Sequence, residues 1–384
     1  MYLPSLFDSF FMGGFECSTH RRHDGRRLDL IAATGHDRHA PADYAALRRQ
    51  GLRSVRDGVR WHLIETAPGR YDWSSLLPML RAAREQRVQV IWDLCHYGWP
   101  DDLDIWQPAF VERFARFAGA VARLVRDEGI EVPFYAPVNE ISYWAWAGGD
   151  QAHFNPMAQG RGQELKHQLV RASIAAIEAI RAEAPKARFV QIDPVIHVAP
   201  ASDRPDDQAA AEAYRQAQYE AWDLLTGRAW PGLGGRPEYL DILGMNYYSD
   251  NQWFHGGATI PSGHPAYRPF QGILAEVYQR YRRPLLVAET GAEGEARGPW
   301  LRYVAEQVMT ALERGVPVEG ICLYPVLDYP GWTNERHCPA GLLGYPDADG
   351  TRPVCAELEQ ELRRQQARLE RLREERGRLA SALS

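Results

Sequence analysis

VQVIWDLCH (88–96) is followed along the chain by PAFVERFARFAGAVARLVRDEG (108–129) and by FYAPVNE (134–140). The first and last of these segments are short apolar runs rich in β-forming residues, and the middle one carries apolar residues at three-to-four spacing. This spacing predicts an amphipathic helix between two strands, which is the βαβ unit of a parallel sheet.

The same alternation runs through the whole chain. Apolar runs lie at residues 10–17, 52–59, 88–96, 134–140, 187–195, 240–248, 284–290 and 320–328, and amphipathic segments separate most of them. Eight strands alternating with helices predict an α/β fold, a (β/α)8 TIM barrel, which we assign to residues 1–355. The competing fold is a doubly wound open sheet, but no GxGxxG turn follows the first run.

Two connections are long for a barrel, residues 18–40 and 196–238. Loops that leave the carboxyl ends of barrel strands form the active-site face. We therefore expect both connections to overhang the pocket.

Residues 356–384 predict a helical extension at the C-terminus. Leucines recur there near heptad spacing, although Gln365 and Arg376 interrupt the seam. So few heptads seldom hold two chains together, and docking on the chain's own barrel is therefore favoured over a homo-oligomer formed through this helix. The leucines are Leu358, Leu362, Leu369, Leu372 and Leu379.

Composition excludes several classes of protein. The 384 residues include 44 basic and 50 acidic side chains, a formal charge of −6, which gives no electrostatic footprint for nucleic acid. No apolar run approaches the roughly 18 residues that span a membrane. The five cysteines are scattered without a CxxC pair, which favours buried free thiols. No secretory signal is recognised at the N-terminus, so a cytoplasmic location is expected.

Two glutamates close predicted barrel strands. Glu140 ends FYAPVNE, and Glu289 ends PLLVAET (284–290). A single strand-end glutamate is explained equally well by an ion pair that holds a loop, but two aimed at one barrel mouth favour catalysis. Glycosidic bond cleavage requires such a pair: one carboxyl group protonates the leaving oxygen, and the other attacks the anomeric carbon or activates water.

Motifs around these glutamates resemble those of a known enzyme family. PVNE (137–140) and VAETG (287–291) resemble the acid/base and nucleophile motifs of the retaining (β/α)8 glycoside hydrolases. The details resemble family 1, the β-glucosidase and β-galactosidase group. The further motifs, in the family's order, are VRDGVRW (55–61), DLCHYGWP (93–100), GMNYY (244–248) and YPVLDYPGW (324–332).

The resemblance implies a retaining β-glycoside hydrolase that needs no cofactor and acts on a β-linked sugar. Glu140 would be the acid/base, and Glu289 would be the nucleophile that forms a covalent intermediate. The other implied site residues are Arg56 and Tyr248 beside the nucleophile, with His96, Asn139 and Asn246 toward the sugar. Two simpler readings stay open: an ion pair of Arg56 with Asp57, and a satisfied core histidine at His96.

Three positions depart from the family pattern. Glu16 stands near the end of the first strand where the family usually has a glutamine that binds a hydroxyl. Tyr324 replaces a tryptophan platform, and Gly331, just before Trp332, replaces a glutamate that grips the outer sugar hydroxyls. Loss of that clamp means that glucose or galactose specificity does not follow from the resemblance.

Other readings of the function remain. Transglycosylation would use the same site with an acceptor hydroxyl in place of water, and a carbohydrate-binding barrel would have lost turnover. A metal-dependent hydrolase is the third alternative. The residues that suggest a metal are His20, His23, Asp24, His36, Asp37 and His39, but their spacing favours a hydrated polar loop.

Two further groups of residues suggest ligand contacts. Basic side chains of the long first connection could recognise an anionic sugar or phosphate: Arg21, Arg22, Arg26 and Arg27. Tryptophans in or near the predicted strand-end loops could line sugar subsites, with ordinary packing as the simpler explanation: Trp99, Trp106, Trp144, Trp146, Trp253 and Trp332.

Overall fold

The computed structural model describes residues 2–383, with side chains as far as residue 375. Within this range eight parallel strands form a closed barrel, which confirms the predicted (β/α)8 fold. The strands are β1 (Phe11–Gly14), β2 (Ser54–Gly58), β3 (Gln89–Asp93), β4 (Phe134–Ala136), β5 (Arg188–Pro194), β6 (Ile242–Asn246), β7 (Leu285–Thr290) and β8 (Val318–Leu323). Each strand pairs with the next along the chain, and β8 closes the ring on β1.

Helices surround the barrel. The longer ones in the described chain are α1 (His36–Arg49), α2 (Leu77–Glu85), α3 (Pro108–Asp127), α4 (Gly162–Glu183), α5 (Pro205–Gln216), α6 (Phe270–Tyr281), α7 (Arg297–Glu313) and α8 (Ala356–Leu383). Short helices lie at Leu30–Ala33, Trp61–Ile64, Ile141–Trp144 and Glu220–Leu225. None of the helices described is long and apolar enough to cross a membrane.

Several elements differ from their predicted bounds, and the strand predicted at 134–140 ends at Ala136. The connection 196–238 is not a plain loop, because it contains α5 and the helix Glu220–Leu225. Pro205 and the acidic residues Asp206 and Asp207 stand in the first turn of α5, where a fixed φ and negative charge favour a helix start. The last predicted strand, 320–328, extends too far, since β8 ends at Leu323 before Pro325, which has no N–H to donate to the ladder.

Side chains alternate between two apolar cores along the strands. On β7, Leu286 and Ala288 belong to a cluster inside the barrel. Leu285 and Val287 belong to the larger core between the strands and the helices. The same alternation recurs on β3, β4 and β5, where Ile91, Phe134 and Val190 lie inside the barrel, and it makes the interior a packed core rather than a pore.

The C-terminal helix α8 packs on the barrel of its own chain. Leu358, Leu362 and Leu369 are buried in the large core, and Leu372 packs against it. Arg302 of α7 pairs with Glu361 at 2.8 Å. The leucine face is therefore used within the chain, while Leu379 lies outside the side chains that the structure describes.

A buried charged network joins α1, β2 and the segment before α8. The two ring nitrogens of His36 lie 2.8 Å from Asp43 and 2.9 Å from Asp57, and all three side chains are buried. Arg352 pairs with the other oxygen of Asp43 at 2.6 Å. Carboxylates accept hydrogen bonds, and both ring nitrogens can donate to them only when the ring is protonated. His36 is therefore held as the imidazolium.

This network predicts a pH-dependent stability. Burial opposes the charge on His36, but Asp57 and Asp43 outweigh it and raise the pKa to about 9. The pKa is raised on folding, so the stabilisation is complete below the unfolded value of about 6.5 and is lost as the pH rises through 9. We expect urea titrations to show a loss of about 3 kcal/mol in the free energy of unfolding over that range.

The control variants separate this effect from other titrations. His36→Gln is expected to be destabilised at pH 6 and to lose this part of the pH dependence, because the buried Asp57 then has no cationic partner and Asp43 keeps only Arg352. His23→Gln removes an exposed histidine and should keep the wild-type profile. A His36→Gln profile parallel to the wild type between pH 6.5 and 9 would contradict the assignment.

Candidate active site

A cavity of about 950 Å³ opens at the carboxyl ends of the barrel strands. Seven of the site residues predicted from the sequence line this cavity. Each of them lies at the end of a barrel strand or in the loop that follows it. They are Glu16, His96, Glu140, Asn246, Tyr248, Glu289 and Trp332. The two glutamates therefore face one cavity, which is the arrangement on which the sequence argument depended.

Glu289 reaches the cavity through an irregularity in β7. Leu286 and Ala288 point into the barrel, so regular alternation would turn residue 289 outward. The pairing of β7 with β6 shifts register between Val287 and Glu289. Such a bulge re-aims a side chain, and here it directs the carboxylate into the barrel mouth.

Two donors hold the Glu289 carboxylate. The Arg56 guanidinium on β2 donates to Oε1 at 2.6 Å, and the Tyr248 hydroxyl donates to Oε2 at 2.9 Å. Burial raises the pKa of Glu289, while the fixed charge of Arg56 acts in the opposite direction. With one oxygen on a cation and the other on a hydroxyl, Glu289 is the carboxylate of the pair that is held ionised.

Glu140 is held in an unusual backbone conformation. It follows β4 at φ 47°, in the left-handed region, where its carbonyl begins the helix Ile141–Trp144. The buried Asp193 of β5 fixes the next turn, because it accepts from the Ser142 backbone N–H at 2.9 Å and from its hydroxyl at 3.0 Å. Non-glycine residues at positive φ persist only where the surroundings impose them.

The environment of Glu140 differs from that of Glu289. Asn246 donates to Oε1 of Glu140 at 2.8 Å, and the Tyr97 hydroxyl donates to Oε2. Burial and the charge of Glu289 raise the pKa of Glu140 to about 8. No cation pairs with it among the described residues, so at neutral pH Glu140 carries the proton that the pair shares.

Arg56 links the Glu289 carboxylate to the cavity floor. Its guanidinium pairs with Asp93 at 2.6 Å and donates to Asn139 Oδ1 at 2.7 Å, in addition to its contact with Glu289. The Asn139 amide therefore presents Nδ2 to His96 Nε2, 3.0 Å away. His96 then carries its proton on Nδ1, which faces Asp93 at 3.2 Å. Arg56 pairs with Asp93 and Glu289 rather than with Asp57.

Cys17, Asp93 and His96 form one cluster of potential metal ligands in the described chain. The Asp93 carboxylate already forms an ion pair with the Arg56 guanidinium, and burial raises the pKa of the Cys17 thiol well above its ordinary value. A metal would need a thiolate and would stand beside a buried cation. The donor set fits a hydrogen-bonded cavity floor better than a metal site.

Two of the three departures from the family pattern, Glu16 and Gly331, line the cavity. Glu16 is 7% exposed and accepts from the Ser18 backbone N–H at 2.9 Å through Oε1. Gly331 and Trp332 line the cavity, and a Cβ at Gly331 would lie 2.6 Å from the Asn334 side chain. These lining positions therefore offer one carboxylate and one indole, without a side chain at residue 331.

Tyr324 lies beneath the cavity rather than on its surface. It is 2% exposed, and the Arg56 guanidinium carbon is 4.9 Å from its ring centre. A cation covers one face of the ring. This position does not fit the sugar platform that the resemblance implied for Tyr324.

The predicted tryptophans separate into three groups. Trp146, Trp253 and Trp332 line the cavity, and Trp144 is fully buried. Trp99 and Trp106 line a different surface groove. The outer part of the cavity is thus aromatic, with Trp146 near Tyr143 and Trp253 near Tyr214.

The sequence predicts a hydrated polar loop at residues 18–40. This prediction is wrong for His20 and His36, because both side chains are buried. His20 is 2% exposed and its ring centre lies 4.6 Å from that of Trp332, while His36 belongs to the buried network. The basic residues form ion pairs with carboxylates, so an anion bound at this loop would compete with those carboxylates. Arg21 and Arg27 pair with Asp101, and Arg22 and Arg26 pair with Glu335.

Solved structures with this architecture are known. A β-glucosidase from Thermotoga maritima in complex with glucoimidazole has a TM-score of 0.78 and 16% identity, covering 95% of this chain and 99% of that chain. This chain has the β-glucosidase fold. The AHE enzyme from Alicyclobacillus herbarius has a TM-score of 0.77 and 18% identity, covering 96% of this chain and 100% of that chain. No family model and no curated protein matches the sequence.

The same fold extends over nearly the whole of this chain and of its solved neighbours. A family 1 β-glucosidase from Thermotoga maritima shares it at 16% identity, with a TM-score of 0.77 over 93% of this chain and 97% of that chain. At this identity the likeness is one of fold. The chemistry has to be argued from the side chains in the cavity.

Sequence reasoning missed two residues of the site, Asp93 and Tyr97. Asp93 contacts Arg56 and His96, and Tyr97 contacts Glu140. Both stand in the quoted motif DLCHYGWP, and Asp93 ends β3, where a buried charge is a signal in itself. Nothing in the sequence pattern indicates that the Tyr97 hydroxyl faces Glu140.

Proposed function

We propose that this chain is a retaining β-glycoside hydrolase that uses Glu289 as nucleophile and Glu140 as acid/base. The observation that supports this most strongly is the pair of carboxyl groups in one cavity with different partners. Glu289 is held by a cation, whereas Glu140 has neutral donors and a pKa raised to about 8. One ionised and one protonated carboxyl group is the starting state of the retaining reaction.

In the first step an oxygen of Glu289 forms a bond to the anomeric carbon. The bond between that carbon and the glycosidic oxygen breaks, and Glu140 transfers its proton to the departing oxygen. The Tyr248 hydroxyl and the Arg56 guanidinium keep Glu289 oriented for this attack. The product is a glycosyl ester of Glu289 with inverted configuration at the anomeric carbon.

In the second step Glu140, now a carboxylate, takes a proton from water. The water oxygen bonds to the anomeric carbon, and the ester bond to Glu289 breaks. Two inversions restore the original configuration, and both carboxyl groups return to their starting states. Asn246 and Tyr97 donate to the Glu140 carboxylate at this stage.

The cavity supports a sugar on one wall and an aglycone outside it. Glu16 lines the cavity together with the nucleophile and offers a free oxygen for a hydroxyl, while Trp332 offers a ring face for the sugar. Asn139 is fully buried and holds His96 from beneath the cavity. The outer aromatic part formed by Trp146 and Trp253 suits a further sugar or an aromatic aglycone. A cavity of about 950 Å³ has room for both.

A panel of aryl β-glycosides with different glycones tests this function. We expect release of the phenol from at least one glycone, and NMR should detect the β-anomer as the first product. The α-anomer as first product would indicate inversion. Binding of sugars without release would instead support a carbohydrate-binding barrel, and transfer to an added acceptor sugar would show transglycosylation.

Glu16 is predicted to bind a sugar hydroxyl through its free oxygen. In Glu16→Gln a charged hydrogen bond becomes a neutral one, and kcat/KM should fall about tenfold on the best aryl glycoside. Steady-state kinetics with Glu295→Gln as control checks this, because Glu295 is exposed and lies outside the cavity lining. Equal kcat/KM values in Glu16→Gln and wild type would show that the charge of Glu16 contributes nothing to binding the sugar.

A further inference from the structure

We propose that Tyr97 is a positioning residue for Glu140: its hydroxyl donates to Oε2, fixes the orientation of the carboxyl group and favours its ionised form. The proposal rests on the acid/base role proposed above. Tyr97 is fully buried, and the contact joins the loop after β3 to the segment after β4. The two oxygens of Glu140 thus each accept from a different donor, Asn246 at Oε1 and Tyr97 at Oε2.

The direction of the Tyr97 hydrogen bond is set by a chain of donors. Arg56 can only donate, and it does so to Asn139 Oδ1 at 2.7 Å. The Asn139 amide therefore directs Nδ2 at the Tyr97 oxygen, 3.1 Å away. The phenol oxygen accepts there, so its single proton is free to point at Glu140. The same Arg56 also holds Glu289, so one guanidinium orients both carboxyl groups.

The backbone and the packing keep Tyr97 in place. Its φ is 68°, in the left-handed region, and Asn155 donates to its carbonyl at 3.0 Å. The ring contacts Trp144, Phe154 and Trp332 at centre distances between 5.1 and 5.9 Å. A buried tyrosine at positive φ is strained, and it persists here because the aromatic cluster and Asn155 impose the conformation.

Tyr97 acts without giving up its own proton. Burial and the charge of Glu140 raise the pKa of Tyr97 well above its ordinary value, so the phenol stays protonated. A donor aimed at a carboxylate favours the charged form and opposes the burial that raises the pKa of Glu140. Tyr97 therefore helps most in the second step, when Glu140 has to act as a base. The titratable groups that face Glu140 are Glu289, Asp193, Tyr97, Tyr143 and Tyr248.

Tyr97→Phe tests the proposal through a pH profile. Without the hydroxyl the ionised form of Glu140 loses a donor, so the alkaline limb of kcat/KM should move up by about one pH unit. On an activated aryl glycoside kcat should fall more than kcat/KM, because the second step limits kcat. A uniform fall in both constants with an unmoved alkaline limb would mean that Tyr97 only packs, and would overturn the proposal.

Tyr135→Phe is the matched control. Tyr135 lies on β4, is also fully buried, and its hydroxyl has no hydrogen-bond partner within the described residues. Its loss removes the same atom from the same region of the barrel without touching Glu140. The alkaline limb of Tyr135→Phe should coincide with that of the wild type.

A direct titration separates this proposal from the proposed function. The side-chain carboxyl ¹³C resonance of Glu140, assigned with Glu140→Gln, gives its pKa in the wild type and in Tyr97→Phe without any substrate. A higher pKa in Tyr97→Phe supports the role of Tyr97 even if no glycoside is cleaved, a result that would defeat only the proposed function. Turnover with an unchanged Glu140 pKa would defeat only the proposal for Tyr97.

Discussion

Glu289→Gly is expected to lower kcat by about 10⁴-fold or more, because the covalent step has no other nucleophile. Azide should restore part of the rate on activated aryl β-glycosides. It enters the space left by the carboxylate, forms the bond to the anomeric carbon from that side and displaces the phenolate. The product is then the α-glycosyl azide, which NMR identifies by the coupling constant of its anomeric proton.

The control for this variant is Glu295→Gly, which removes an exposed glutamate from the same connection. It should retain wild-type kinetics, and both variants should show the far-ultraviolet circular dichroism of the wild type. Wild-type turnover in Glu289→Gly would show that Glu289 is not the nucleophile. A β-glycosyl azide would show that azide attacks from the face opposite to the proposed nucleophile, which would assign the acid/base role to Glu289.

Glu140→Ala is expected to give the second-largest loss, and the loss should depend on the leaving group. Proton donation contributes about 10²–10⁴-fold where the departing oxygen is basic. For an alkyl β-glycoside kcat/KM should therefore fall about 10³-fold, whereas for a dinitrophenyl glycoside it should change little, since that phenolate leaves without protonation. The alkaline limb of the pH profile, set by the raised pKa of Glu140, should disappear.

Azide distinguishes the two glutamates in this experiment. In Glu140→Ala it enters on the acid/base side after the glycosyl ester of Glu289 has formed, so the product is the β-glycosyl azide. Equal losses of kcat/KM for alkyl and dinitrophenyl glycosides would contradict the role of Glu140. An α-configured azide from this variant would reverse the two assignments.

The sequence predicts the barrel and the position of its two glutamates because both depend on local pattern. Strand-forming runs and amphipathic segments alternate with little interruption, and Glu140 and Glu289 each stand where an apolar run ends. In a barrel all strand ends of one kind meet at one face, so these residues come together whatever the details of packing. The packing of α8 on the barrel is also predictable from local pattern, because the apolar face of an amphipathic helix is buried against another surface.

The features that the sequence did not predict are set by contacts between distant segments. The register shift that turns Glu289 inward depends on how β7 pairs with β6. The burial of Tyr324 depends on where Arg56 lies. The donor role of Tyr97 depends on a chain of hydrogen bonds from Arg56 on β2 through Asn139, after β4, to Tyr97, after β3. The contact between His36 and Asp43, in contrast, follows a local pattern that the sequence analysis did not use. Asp43 lies two helical turns after His36 on α1, so the two side chains share one face of the helix.

The most direct test of the account is to trap the glycosyl ester. A dinitrophenyl 2-deoxy-2-fluoro-β-glycoside of the preferred glycone forms the ester quickly and hydrolyses it slowly, because the fluorine destabilises the oxocarbenium-like transition states. Mass spectrometry of the digested protein should find one fluorosugar on the peptide that contains Glu289, with one dinitrophenolate released per chain. A label on any other residue, or an unlabelled protein that hydrolyses glycosides, would contradict the account.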